Sequence, residues 1–288
     1  MNERFKVAAL QMVSEPSVEA NLAAADELIA DAADRGAKLV VLPEWFCFMG
    51  RSERDKLAIR EADGDGPIQS FLARVAAKRR AWVIAGTVPL PADDPGKLRN
   101  SSLVYDDAGR RVARYDKIHL FDFTDTFGPQ AGSGELRGGT PPRSTEYERY
   151  KESNTIEPGA TPVAVDSPFG RIALSICYDV RFPELYRRLA PMDLITVPSA
   201  FTATTGAAHW DVLVRARAVE NLAWVIAPAQ GGHHLNGRRT HGHTMVVDPW
   251  GKVVASLARG PGVVVAEIDP SYQAKARASL PALSHRVL

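Results

Sequence analysis

Three residues able to do acyl-transfer chemistry together are spread along the chain: Glu44, Lys117 and Cys177, separated by 73 and 60 residues. Cys177 ends an apolar, β-rich run over 172–176. The polar stretch Tyr178-Asp-Val-Arg181 follows, and Pro183 then opens a helical pattern. A thiol at the carboxyl end of a buried strand, where the backbone turns toward a helix, is placed to be a nucleophile. Free N–H groups there stabilise a thiolate and a developing oxyanion. The plain alternative is a small buried hydrophobe, the commoner fate of a free cysteine. Glu44 follows the apolar run 39–42, and Lys117 follows a strand pattern ending at Tyr115. These too have plain readings, as a turn cap and a solvated cation. Together they make more sense: the carboxylate serves as general base for the thiol and then for water, and the ammonium stabilises the charge of a tetrahedral intermediate. That set cleaves an acyl compound without histidine.

The elements that must position these groups alternate between strand and helix. In the first half the pattern predicts strands over 6–12, 39–42, 82–85, 101–105 and 110–115, with helices over 17–34 and 66–80. In the second half it predicts strands over 161–165, 171–176, 193–197, 223–227, 242–247, 252–256 and 262–268, the last one closing the sheet. Helices are expected over 183–189, 207–221 and from the Asp269-Pro270 cap to about 278. So many strands with few helices imply stacked sheets covered by helices, an α/β layering. In such sheets ligands gather where the carboxyl ends of strands meet, so the three groups can converge.

With 288 residues and no linker between the halves, one domain over 1–288 is expected, interrupted by a Gly/Pro-rich insertion over 124–149 that reads as a lid or a surface insertion. The net charge of +1 draws the protein toward neither nucleic acid nor an anionic membrane. No apolar run is long enough to span a bilayer, the N-terminal residues lack a signal-peptide pattern, and two cysteines make no disulfide framework. A cytoplasmic location with reduced thiols is the expectation. Cys47, just beyond Glu44, reads as buried.

Leu42-Pro-Glu44, Tyr115-Asp-Lys-Ile-His-Leu120 and Ile176-Cys-Tyr-Asp-Val-Arg-Phe-Pro-Glu184 resemble the three signatures of the nitrilase superfamily of carbon–nitrogen hydrolases. They stand in the same order and span nearly the whole chain. The resemblance implies a four-layer αββα sandwich, a homodimer or higher homo-oligomer, and a Glu–Lys–Cys triad with no metal or organic cofactor. It assigns Glu44 as general base, Lys117 to the oxyanion, Cys177 as nucleophile, and the backbone N–H of Tyr178 as second oxyanion donor. It also matches Glu152 to a second glutamate that supports the lysine, with Glu146, Glu148 and Glu157 as nearby decoys.

The segments 198–218, 229–234 and 242–251 are similar to the branch that holds ω-amidases and deaminated glutathione amidases. This implies a small amide substrate carrying a 2-oxo acid carboxylate; carbamoylase, aliphatic amidase or nitrilase activity is the alternative. A non-catalytic interaction protein on the same fold is the third reading, opposed by retention of all three reactive groups. A substrate carboxylate needs a cation, and Arg181 offers a bidentate fork, unless it is spent in an Asp179–Arg181–Glu184 ion network. The resemblance places Phe201 and Thr205 beside Arg181 at the carboxylate end. His233, His234, His241 and His243 have a spacing that suits zinc, the last two sharing a face if both lie in a strand. The reading preferred here is a loop running into a strand. Arg215 and Arg217 read as structural, on a helix suited to a dimer interface.

Overall fold

A computed structural model describes residues 3–124 and 149–287. The interior of the expected insertion, 125–148, lies outside the described residues. Its two ends form a short antiparallel ribbon, given below as β7 and β8.

In chain order the first half runs β1 (Phe5–Gln11), α1 (Val18–Asp34), β2 (Ala37–Val41), α2 (Pro67–Arg79), β3 (Trp82–Ile84), β4 (Val88–Pro91), β5 (Leu98–Tyr105) and β6 (Arg111–Asp116). β7 (Asp122–Thr124) and β8 (Arg149–Lys151) follow. The second half runs β9 (Ala164–Ser167), β10 (Gly170–Leu174), α3 (Pro183–Leu189), β11 (Leu194–Thr196), α4 (Ala203–Asn221), β12 (Trp224–Ala227), β13 (Thr244–Val247), β14 (Val253–Leu257), β15 (Gly262–Ile268) and α5 (Pro270–Ser279).

β1, β2 and β3 are parallel neighbours, and β5 pairs antiparallel with β3, β4 and β6. The second sheet has the order β14-β13-β12-β11-β10-β9, with β10, β11 and β12 parallel. Parallel strands buried on both faces read as continuous apolar runs, and Leu39-Val-Val41 and Ile172-Ala-Leu174 do so.

Alternation along β1 shows the layering. Val7 and Ala9 face the second sheet, in one core with Ile172, Leu174, Ile195 and Val225. Ala8 and Leu10 face Ile29 of α1 and Leu72 of α2. On the other side, Trp210, Val214 and Ala218 of α4 close the core over the second sheet. The order helix, sheet, sheet, helix is the expected αββα sandwich.

Two expectations about elements are corrected. β15 does not close the second sheet: it pairs antiparallel with β1, Phe5 opposite Ile268 through Gln11 opposite Gly262. α4 begins at Ala203 rather than 207, because the Thr202 hydroxyl accepts the Thr205 N–H and starts the helix four residues earlier. The preferred reading of a loop running into a strand holds for His241 and His243, which lie before β13 with their rings stacked at 4.2 Å.

Candidate active site

Glu44 leaves the carboxyl end of β2 in a turn that only a close neighbour without a side chain permits. Gly86, just after β3, has φ +53°, and a Cβ there would sit 2.0 Å from the Pro43 carbonyl oxygen. Lys117 follows β6 directly, and Glu152 follows β8 in a single 3-10 turn. Cys177 lies three residues beyond β10, at the start of a 3-10 helix (Cys177–Arg181), with φ +48°. A non-glycine residue held there costs about 1–3 kcal/mol and persists only where its surroundings impose it.

The surroundings do impose it. The Cys177 N–H donates to the Pro198 carbonyl at 2.8 Å, fixing the turn to the loop after β11. Asp179, fully buried, accepts the Ile176 N–H at 2.8 Å and the Tyr115 hydroxyl at 2.7 Å on one oxygen. Its other oxygen accepts the His119 N–H at 3.1 Å and meets His119 Nδ1 at 2.7 Å. Tyr115 and His119 flank Lys117 on either side, so one carboxylate ties the segment bearing Lys117 to the turn bearing Cys177. The first bond inside the 3-10 helix runs from Asp179 N–H to Ile176 C=O, which leaves the Tyr178 N–H in the end position that has no intrahelical acceptor.

Lys117 is only 1% exposed. Its ammonium donates to Glu44 Oε1 at 3.0 Å and to both oxygens of Glu152, at 3.0 and 2.8 Å. Glu44, also 1% exposed, accepts Asn100 Nδ2 at 2.9 Å on the same oxygen and the Ala200 N–H at 3.0 Å on the other. Glu152 accepts the Phe121 N–H at 2.7 Å.

The charges divide unevenly. Burial pushes the Glu44 carboxyl up, but the charge and hydrogen bond of Lys117, helped by the Cys177 thiol and Arg238, outweigh it and hold it below the usual carboxylate range. Burial pushes Glu152 up by more than Lys117 pulls it down, and the Glu44 charge adds to the rise. Burial opposes charge on Lys117 too, yet Glu152 and Glu44 raise it well above its ordinary value. Burial and the Glu44 charge push the Cys177 thiol well up, so it rests as a thiol.

Glu44, Glu152, Cys177, Tyr178, Phe201 and Thr205 line one pocket. Arg181 lies just outside its wall, with the guanidinium carbon 5.5 Å from the ring centres of Tyr178 and Phe201 and Nη2 3.2 Å from His209 Nδ1. The alternative ion network does not form, because Asp179 is spent on Tyr115, His119 and the Ile176 N–H; burial lowers the Arg181 pKa, with no carboxylate of the described residues acting on it.

Two residues of the site escape sequence reasoning. Asn100, on β5, reaches Glu44, and Arg238, on the loop before β13, lines the pocket. Neither carries a local signal, since both meet the site only through long-range packing. The histidines of the same loop have ordinary work: His234 bridges the Ser14 carbonyl and the Thr240 hydroxyl, at 2.9 Å each. Cys47 is buried, with Sγ 3.7 Å from the Thr87 carbonyl. Arg217 is structural, donating to the Val180 carbonyl at 2.8 Å.

The family model for carbon-nitrogen hydrolases matches residues 6–278. A deaminated glutathione amidase of Synechocystis sp. is 43% identical over 98% of this chain and 98% of its own. A solved Saccharomyces cerevisiae protein, a member of branch 10 of the nitrilase superfamily, superposes with a TM-score of 0.83 at 29% identity, covering 99% of this chain and 97% of its own. An amidase from Nesterenkonia sp., solved with the acetamide moiety of fluoroacetamide covalently added at its active-site cysteine, gives 0.77 at 25% identity, covering 98% and 94%. The chain belongs to the carbon–nitrogen hydrolase family of the nitrilase superfamily and is an enzyme that hydrolyses amide carbon–nitrogen bonds.

Proposed function

We propose that the protein hydrolyses deaminated glutathione, or a related ω-amide of a 2-oxo acid, through a thioester on Cys177. The observation that carries the mechanism is the buried Glu44–Lys117–Glu152 ion cluster facing the same pocket as Cys177. The substrate class rests on the 43% identity to a deaminated glutathione amidase over nearly all of both chains. It is supported by the cation Arg181 and by the positive end of α4, where Thr202 and Thr205 enter the pocket wall.

The reaction runs in two halves. Because the thiol rests protonated and Glu44 rests ionised, the proton moves to Glu44 as sulfur bonds to the amide carbon. Lys117 and the Tyr178 N–H take the charge that develops on oxygen, and Glu152 keeps Lys117 in place. The proton on Glu44 passes to nitrogen as the carbon–nitrogen bond breaks. Water then attacks the thioester, giving its proton to Glu44, and the carbon–sulfur bond breaks with that proton returning to Cys177. Arg181, beside Phe201 and Thr205, holds the 2-oxo carboxylate of the acyl half.

The test is product analysis with deaminated glutathione. Stoichiometric Cys-Gly and 2-oxoglutarate are expected, with an acyl adduct on Cys177 in the quenched enzyme and loss of both in Cys177→Ala. Turnover of carbamoyl amino acids or nitriles instead would overturn the substrate; turnover with no adduct, with the acyl-enzyme step slowed, would overturn the mechanism.

A homodimer working in the cytoplasm completes this reading. The outer face of α4 exposes Val212 and Val219, and Trp250, in the turn of the β13–β14 hairpin, is 55% exposed, which suits a second copy. Sedimentation of Val212→Glu/Trp250→Glu as a monomer against a wild-type dimer is expected; a monomeric wild type would refute it. Among the described residues no helix is long and apolar enough to cross a membrane.

A further inference from the structure

Among the described residues around the pocket, four cations, Lys56, Lys117, Arg181 and Arg238, stand with three carboxylates. Three carboxylates stand there, Glu44, Glu53 and Glu152, and each has a cation close by. Lys117 serves Glu44 and Glu152, and Lys56 meets Glu53 at 2.6 Å. Two guanidiniums, Arg181 and Arg238, make no hydrogen bond to a carboxylate of the described residues. Arg238 approaches Glu53 only at 3.8 Å, and its buried Nε makes no hydrogen bond. Its Nη2 donates to the Ala200 carbonyl at 2.9 Å, and its guanidinium carbon stands 5.0 Å from the Tyr150 ring centre.

The two arginines take different sides. Arg181 packs on Tyr178 and Phe201. Arg238 shares Ala200 with Glu44: the Ala200 carbonyl accepts from Arg238 while its N–H donates to Glu44. Glu44 delivers the proton to the departing nitrogen, so the leaving group must lie on the Glu44 side, which is the Arg238 side. Side-chain bonds hold the loop that carries Arg238. Asn236 donates to the Gly50 carbonyl at 2.6 Å and accepts the Arg238 N–H at 2.9 Å, and His234 anchors the turn to Ser14.

We infer that Arg238 binds the carboxylate at the far end of an anionic leaving group, so that the enzyme prefers amides of a small acidic peptide amine over primary amides. This rests on the function proposed above, whose substrate carries one carboxylate on each half; Arg181 takes one and Arg238 the other. A fixed guanidinium against a carboxylate gives strong, geometrically specific hydrogen bonds where water is scarce.

The experiment compares three substrates: deaminated glutathione, the same compound with its glycine carboxylate capped as an amide, and 2-oxoglutaramate. Capping is expected to lower kcat/KM in the wild-type enzyme at least tenfold, chiefly through KM, a readout that needs no variant to fold. In Arg238→Gln the capped and uncapped compounds should be cut at similar rates, and Arg238→Lys should recover part of the preference. Equal cleavage of capped and uncapped substrate by the wild-type enzyme would refute the role of Arg238 while leaving the amidase reading intact. No cleavage of deaminated glutathione at all would overturn both.

Discussion

The Tyr115 hydroxyl donates to Asp179 Oδ2 at 2.7 Å, and this buried bond joins the residue two before Lys117 to the residue two after Cys177. Two segments 60 residues apart thereby acquire a fixed separation. Preorganisation of this kind sets where the Cys177 thiol stands relative to the Lys117 ammonium, the nucleophile and the oxyanion cation of the mechanism proposed above.

Removing the joint should separate positioning from bulk stability. Tyr115→Phe deletes one donor and should cost roughly 1 kcal/mol of stability in denaturant melts. Asp179→Asn replaces an acceptor of four donors with a group that must turn an N–H₂ toward some of them. It should cost about 2–3 kcal/mol and lower kcat at least tenfold while KM moves less. Should kcat survive in a folded Asp179→Asn enzyme, the joint holds the fold and not the geometry of reaction.

The carboxylates predict an asymmetric acid response. Burial raises the Glu152 carboxyl, while Lys117 holds that of Glu44 low against its burial, so a falling pH should protonate Glu152 first while Glu44 stays ionised. The acid limb of kcat/KM should therefore belong to Glu152 and lie higher in pH than an ordinary glutamate would set it. Glu152→Gln should be slower but keep its residual rate to lower pH; an unmoved limb would assign it elsewhere. Their stability contributions have opposite signs. Ionised Glu44 contributes stability present above its unfolded pKa and lost as the pH falls through its lower folded value. Ionised Glu152 costs stability at neutral pH, and that cost vanishes on acidification.

Gly86→Ala tests the turn that aims Glu44. The added Cβ meets a backbone oxygen at 2.0 Å and the residue is held at φ +53°, so neither neighbour nor backbone yields cheaply. A loss of about 1–3 kcal/mol is expected with a drop in kcat at least tenfold. Wild-type kcat in this variant would show that Glu44 tolerates displacement.

The legible part of this protein is the set of strand ends. Apolar runs such as Leu39–Leu42 stop abruptly at a charged or reactive side chain, and period and punctuation reveal that locally. The short strand β4, Val88-Pro-Leu-Pro91, is not legible, because two prolines in four residues disguise an edge that, among the described residues, pairs only with β5. The start of α4 hides for another reason. Ala203-Thr-Thr-Gly206 has poor helix propensity and is helical because Thr202 caps it. Arg238 and Asn100 carry no pattern; their place at Glu44 comes from folds of the chain more than 50 residues long.

The pairing of β1 with β15 bears on synthesis. Seven residue pairs join Phe5–Gln11 to Gly262–Ile268. A ribosome therefore releases the first strand of the barrier between two layers long before its partner exists. Until about residue 268 has emerged, that flank of the first sheet presents unpaired N–H and C=O groups to any other extended chain. The nascent protein is most exposed to aggregation after Glu44, Lys117 and Cys177 have been made and before β15 arrives.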